Sequence, residues 1–283
     1  MIETFNHKAE SSFYLWFDHY LLQKGQAYIT ETGVFYPTVD DTLPGFAVYS
    51  SSYKQMVWDT SISGASVITG VYPSSGNSQL QRGTSGLKID YYNGRIFTDS
   101  SLADSIKQFS GVFSRKEFNV YPTNELDFPM ALEKIMGNNP NLESPATGID
   151  PYILAAPCCL VSVSNSQNSP FSFGGEDMTE VTARVLIVSK DKWQMDGILS
   201  IFRDSNNLRI PLIPSTGTPL DFYGDLKFNY NYESLSQEFC NTNMYIDKVI
   251  ATKITERKNN DAALLLSSLE FKLHTYRFPR QEL

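Results

Sequence analysis

Apolar residues recur at three- and four-residue spacings over residues 3–24, at Phe5, Ala9, Phe13, Trp16, Phe17, Tyr20 and Leu21. That period marks one face of an α-helix, and Gly25 supplies a stop signal. The stripe is heavily aromatic and has to be covered, by its own domain or by a neighbouring subunit. Phe13, Trp16, Phe17 and Tyr20 are therefore candidate interface residues as well as candidate core. From Gln26 to Tyr121 short runs of β-formers alternate with Gly, Pro, Ser and Asn. The expected strands are Ala27–Thr32, Gly45–Ser50, Lys54–Thr60, Ser66–Tyr72, Gly86–Tyr91, Arg95–Thr98 and Glu117–Tyr121. Asn93-Gly94, with β-formers on both sides, predicts a two-residue type I′ hairpin turn. Strands this regular, without helices between them, predict an antiparallel sandwich or barrel.

Asn124–Met136 then reads as a short helix, with Asp127 as N-cap, Pro129 in the first turn and Gly137 at its end. The stretch that follows carries Pro140, Pro145 and Pro151 and little apolar content, which marks a linker or long surface loop. The second half has another grammar. Cys158–Ser164 reads as a strand, Ser166–Asp177 as a loop, and Met178–Ser189 as a long strand with Val181, Ala183, Val185 and Ile187 on one face. Lys190–Asp204 is an amphipathic helix with Trp193, Ile198, Ile201 and Phe202 inward. Leu208–Ile213 is a short strand. Met244–Arg257 and Leu264–Phe278 form a long hairpin. The expected fold class is α+β. An N-terminal helix and antiparallel β-sandwich or barrel domain spans residues 1–137, and a linker 138–151. Residues 152–283 form an α+β domain with a helix packed on an antiparallel sheet.

A length of 283 residues agrees with two domains and is enough to bury a core without staples. The net charge of −8 argues against a protein that coats DNA by neutralising phosphates. Aromatics at 13% suit β-structure and large interfaces. Cys158, Cys159 and Cys240 are an odd set with an adjacent pair, so reduced, buried thiols on a strand are expected in place of a disulfide framework. The opening MIETFNHKAESS lacks the regions of a signal peptide, and no apolar run reaches the length of a membrane span. Synthesis in a cytoplasm and no membrane partner are the expectations.

Catalytic grammar is sparse. His7, His19 and His274 form no metal-ligand spacing, and Asp18 and His19, adjacent on a helix, diverge. Gly83-Thr84-Ser85-Gly86 lacks the spacing of a nucleophile elbow and reads as a turn. Walker-type and dinucleotide-binding glycine motifs are absent. Asp40-Asp41, near Pro44, and Glu176-Asp177 read as turn and loop carboxylates. Arg115-Lys116 and Arg257-Lys258 are isolated basic doublets suited to turns or strand edges. Arg203, Arg209, Arg277 and Arg280 fall near element ends and are candidates for ion pairs between subunits. No catalytic residue, cofactor or metal is expected, and a structural or binding protein is favoured over an enzyme.

Two stretches carry a resemblance. Gly86–Tyr121, with its NGRIF hairpin and a strand ending in KEFNVY, is similar to a phrase found in structural proteins of tailed-bacteriophage necks. Pro157–Ile213, with PCCLVSV, FSFGG, the long strand, and a helix containing QMDGIL, resembles the core of tail-terminator and related head–tail joining proteins. This second likeness extends to Phe278. The N-terminal helix and β-domain go beyond the usual terminator pattern. The resemblance implies a non-enzymatic virion protein, made in the host cytoplasm, that forms a homo-oligomeric ring of about six or twelve subunits. The ring would join or terminate the tail beneath the head connector. Its implied partners are portal-side connector and tail-tube proteins. DNA would pass through the channel without sequence-specific contact, along a wall whose acidity repels it. Phe13, Trp16, Phe17, Tyr20, Trp193, Arg257 and Lys258 are the candidate interface residues.

Two other classes compete. A β-sandwich module of a tail or decoration would bind a carbohydrate or receptor, with Trp58, Tyr72, Tyr91 and Tyr92 as stacking candidates. A hydrolase would assemble two carboxylates from distant strands.

Overall fold

The computed structural model describes residues 4–38, 45–74, 76, 78–84, 86–99, 106–137, 154–259 and 262–278. The architecture is mixed α+β, rich in strands, and built on two sheets. Helix α1 (Phe5–Gly25) leads into β1 (Tyr28–Thr38), β2 (Phe46–Ser50), β3 (Gly70–Pro73), β4 (Leu80–Gln81), β5 (Lys88–Asp90), β6 (Arg95–Asp99) and β7 (Phe109–Lys116). These seven strands form one antiparallel sheet in the order β4-β3-β7-β1-β2-β6-β5. Strand β8 (Asn119–Pro122), a 3-10 turn at Glu125–Asp127 and α2 (Phe128–Gly137) follow. The second half comprises β9 (Cys158–Pro170), β10 (Asp177–Ser189), α3 (Lys192–Arg203), β11 (Arg209–Pro211), α4 (Tyr232–Glu238), β12 (Asn243–Asn259) and β13 (Ala262–Arg277). Its sheet runs β11-β12-β13-β10-β9-β8, with β8 parallel to β9 and every other pair antiparallel.

The expected linker, the Asp40-Asp41 turn and Arg280 lie outside the described residues. Two assignments cross the expected boundary. Strand β8 belongs to the second sheet, because its register runs Asn119–Pro122 against Cys158–Val161. The aromatic stripe of α1 also packs on the second half. Phe17 stacks on Phe202 at 4.3 Å and 2°, and Phe13 meets Phe271 edge-on at 5.0 Å. Phe13, Trp16 and Phe17 are buried in the chain's own core, so they leave no surface for a partner and are corrected as interface candidates. The other side of α1 faces the first half, where Leu22 packs with Val57 and Ile62. A helix covered on both sides joins the two sheets into one buried cluster.

Several local expectations change. Lys54–Thr60 is not a strand and contributes only a single bridge, Met56 to Arg115. Met56, Val57 and Trp58 are all buried in succession, which an alternating strand on a half-solvated sheet cannot achieve. Their backbone groups are satisfied singly, Met56 N–H by the Tyr91 carbonyl and Val57 N–H by that of Ser114. Strand β7, absent from the expected set, is the main partner of β1 over eight residues. Its weak signal has a cause in Gly111 and the polar Ser110, Ser114 and Arg115. The loop expected from Ser166 shortens to Phe171–Glu176, because β9 stays paired with β10 out to Pro170.

The turn at Asn93-Gly94 is not type I′. Asp90 and Arg95 close a four-residue loop in which Gly94 has φ +66° and Asn93 has no positive φ. Asp90 Oδ1 accepts the N–H groups of Tyr92 and Asn93 at 3.1 and 2.9 Å, a side-chain device that replaces the expected turn. A Cβ on Gly94 would run into the Tyr53 and Lys54 carbonyl oxygens. Finally, Trp193 is 83% exposed, while Met195, Ile198, Leu199 and Phe202 form the buried face of α3. Trp193 sits about 200° around the helix from Met195, so it cannot share that face.

Candidate functional site

Three features stand out from the scaffold. The first is a buried charge cluster where α1 meets the first sheet. Lys116 Nζ donates to Asp18 Oδ1 at 2.5 Å and lies 3.2 Å above the Trp58 ring. Beside it, Asp59 Oδ2 pairs with His19 Nδ1 at 2.8 Å, and the His19 ring stacks on Tyr232 at 4.4 Å. Asp59 Oδ1 also accepts from Ser61 N, Ser61 Oγ and Tyr232 N. Burial pushes the Asp18 carboxyl up, against the pull of Lys116, and pushes the Lys116 ammonium down to about 8. Burial would also raise Asp59, but the hydrogen bonds from His19, Ser61 and Tyr232 outweigh it and hold the carboxyl below its ordinary value. The cluster ties α1, β7, the Lys54–Thr60 segment and α4 together. Adjacency of Asp18 and His19 correctly implied divergence: each takes a different partner.

The second feature is a cavity of about 290 Å³ along the seam, walled by Tyr14, Trp58, Tyr92, Leu220 and Phe222. Three polar side chains at its rim are already engaged, while the Trp58 indole N–H is buried without a partner among the described residues. Asn93 Oδ1 accepts from Lys54, Asp221 Oδ1 from Tyr223 and Asp225 N–H, and Thr218 Oγ1 from Lys227. Gly224 lets the loop close on the Asp90 carboxylate, where a Cβ would collide with Oδ1. The cavity offers shape and apolar wall but no converging reactive groups.

The third feature is the pair of open sheet edges. Strand β11 covers β12 only at Asn243–Tyr245. Asn207 N–H and Asn206 Oδ1 then engage the Ile246 carbonyl and the Val249 N–H, and among the described residues no strand pairs with the outer edge of β12 beyond, where Ile250 and Ile254 are exposed. On the other side, β8 covers the outer edge of β9 at Cys158–Val161, and among the described residues no strand pairs with that edge over Ser162–Pro170. Unpaired N–H and C=O groups along such edges are templates for another strand.

No known protein family matches the chain, and no curated protein does. The candidate residues therefore stand on their own geometry. Tyr20 is half-buried, stacked on Trp16 at 5.2 Å. Trp193 presents its ring to solvent at the start of α3. Arg257 and Lys258 fall on the open strand β12, opposite Leu264 and Ala263; their side chains lie outside the described residues. Of the stacking candidates, Trp58 and Tyr91 are buried and cannot serve as platforms, Tyr92 lines the seam cavity, and Tyr72 is exposed. Cys158 and Cys159 are buried free thiols on opposite faces of β9, as neighbours on a strand must be, whereas Cys240, expected with them, is exposed in the turn after α4. Among the described residues no group of three or more His, Cys, Asp or Glu side chains is placed to hold a metal ion. No described helix is long and apolar enough to cross a membrane.

Sequence reasoning missed the open edges because strand pairing is a property of topology. It missed the charge cluster because Asp18 and Lys116 are far apart in the chain. A charged residue on an apolar helix face was the one available signal for Asp18.

Proposed function

We propose that this chain is a ring-forming assembly protein of a tailed-phage neck, which joins or terminates the tail beneath the head connector and lines the DNA channel. The observation that carries the assembly reading is the pair of open edges on the second sheet. Strands β12 and β9 run in opposite directions, so β12 of one copy can continue antiparallel into β9 of the next. The contact is heterologous, and a heterologous contact that closes makes a ring. The two open stretches lie at opposite ends of the sheet, so pairing is staggered, and stagger with strand tilt is how a sheet closes on itself.

The tail-terminator resemblance falls on the same sheet, and the net charge of −8 suits a channel wall along which DNA slides. The partners in this reading are portal-side connector and tail-tube proteins, and the location is the virion. Light scattering on the purified protein should give a mass of several subunits, with rings in negative stain. The double variant Ile250→Lys/Ile254→Lys should reduce it to monomers with an unchanged melting temperature, because both side chains are already in water. A wild-type monomer at high concentration would sink the proposal, and so would a ring indifferent to both lysines.

A further inference from the structure

The β9–β10 turn, the start of β12 and the end of β13 meet at one end of the second sheet. Four rings cross its outer face there in a row. Phe171 lies 4.6 Å from Tyr276, Tyr276 lies 5.3 Å from His274, and His274 stacks on Tyr245 at 5.4 Å and 24°. Phe171 is 58% exposed, and Tyr276 and Tyr245 are each 39% exposed. Sheet geometry sets the row: Tyr276 and His274 are two apart on β13, and Tyr245 is the cross-strand partner of His274. Asp247 Oδ1 holds His274 Nδ1 at 2.6 Å and fixes the ring in place.

Next to the row is a cavity of about 460 Å³. Its wall combines rings, from Tyr245, Tyr276 and Phe278, with the hydrogen-bonding side chains of Asn241, Thr242, Asn243 and Arg277. Asn243 Nδ2 donates to the Cys240 carbonyl at 2.6 Å, but Asn243 Oδ1 has no hydrogen-bond partner among the described residues. Asp247 faces His274, and the Arg277 guanidinium in the cavity wall already donates to Thr179 Oγ1 and Asn168 Oδ1.

We infer that this ledge and cavity bind a neutral oligosaccharide. The apolar C–H face of a pyranose lies flat on an aromatic ring, while its hydroxyls need amide and hydroxyl partners at the edge. The combination of rings and hydrogen-bonding groups provides both. Of the residues that line the cavity Arg277 alone is charged, and its guanidinium is already held by Thr179 and Asn168. A protein partner would favour a wholly apolar patch, and here Asn241, Thr242 and Asn243 stand beside the rings. The cavity volume suits about two sugar units, and the row of rings extends the track beyond it.

Saturation-transfer NMR with maltohexaose, cellohexaose and N-acetylchitohexaose tests this on the whole chain. At least one probe should receive saturation at its ring protons. Tyr276→Ala and Tyr245→Ala should each weaken binding about tenfold, the factor that ~1.4 kcal/mol of lost ring contact represents. Tyr276→Phe, which keeps the stacking face, should bind as the parent does. No transfer to any probe overturns the inference, as does transfer that survives both alanine variants. If the alanines instead dissolve the oligomer and no sugar binds, the ledge is a protein contact and the inference fails. A monomer that binds sugar removes the ring proposal and leaves this one standing.

Discussion

Lys116 shows how much one side chain determines here. It is fully buried, so its ammonium exists only because Asp18 and the Trp58 face replace water. Removing one partner of a buried pair strands the other charge, which costs about 3–5 kcal/mol. Lys116→Met should therefore lower stability by about that much, and Asp18→Asn/Lys116→Met should recover most of it; urea unfolding measures both. The pH dependence has a definite sign. Burial pushes the Lys116 ammonium down to about 8 in the fold, from its ordinary value of 10.5. Between those values the unfolded chain binds more protons, so this residue makes stability rise with pH in that window. The wild type should gain stability over the double variant from about pH 8 to about pH 10.5. A flat difference across that range would show that Lys116 is not held in this way. Asp59 acts at the acid end. Its folded pKa is depressed, so its contribution is complete above the ordinary carboxylate value and is lost as pH falls through the lower folded value.

At the scale of elements, the strongest periodicities mapped directly onto structure. The helix expected over 3–24 is Phe5–Gly25, the strand expected over Met178–Ser189 is Asp177–Ser189, and the helix expected over Lys190–Asp204 is Lys192–Arg203. Each has a one-sided or two-sided apolar pattern long enough to be unambiguous. The errors share a cause. Trp58, Asn93 and Trp193 were read from residue type, while the structure placed them by what their neighbours required. The stacked pair Phe17–Phe202 joins α1 to α3, and Phe17→Ala should cost about 3–5 kcal/mol by opening a cavity where both rings are buried. Gly94 gives a sharper test of the turn. Gly94→Ala should destabilise the fold, since it needs a positive φ and has two carbonyl oxygens in the way of a Cβ. A variant as stable as the parent in thermal melting would refute that account of the hairpin.

At the scale of the whole molecule, the two halves are not independent. A fragment spanning residues 154–278 would lack α1 and leave Phe202 and Phe271 uncovered, two of the largest buried rings in the chain. It should aggregate or bind a hydrophobic dye, and a peptide covering residues 4–26 should suppress that behaviour. A well-folded, dye-silent fragment would return α1 to the first half.

Composition and periodicity alone determined the α+β class, the aromatic helix, the long strands and the buried free thiols of Cys158 and Cys159. These depend on each segment's own pattern and hold wherever the segment ends up. Only the tertiary structure decided which sheet α1 covers, that β8 crosses to the second sheet, that Asp18 meets Lys116, and that β12 and β9 keep open edges. Those are pairings between residues far apart in the chain. Nothing local in a sequence encodes a partner's position; the shared burial of apolar faces selects it.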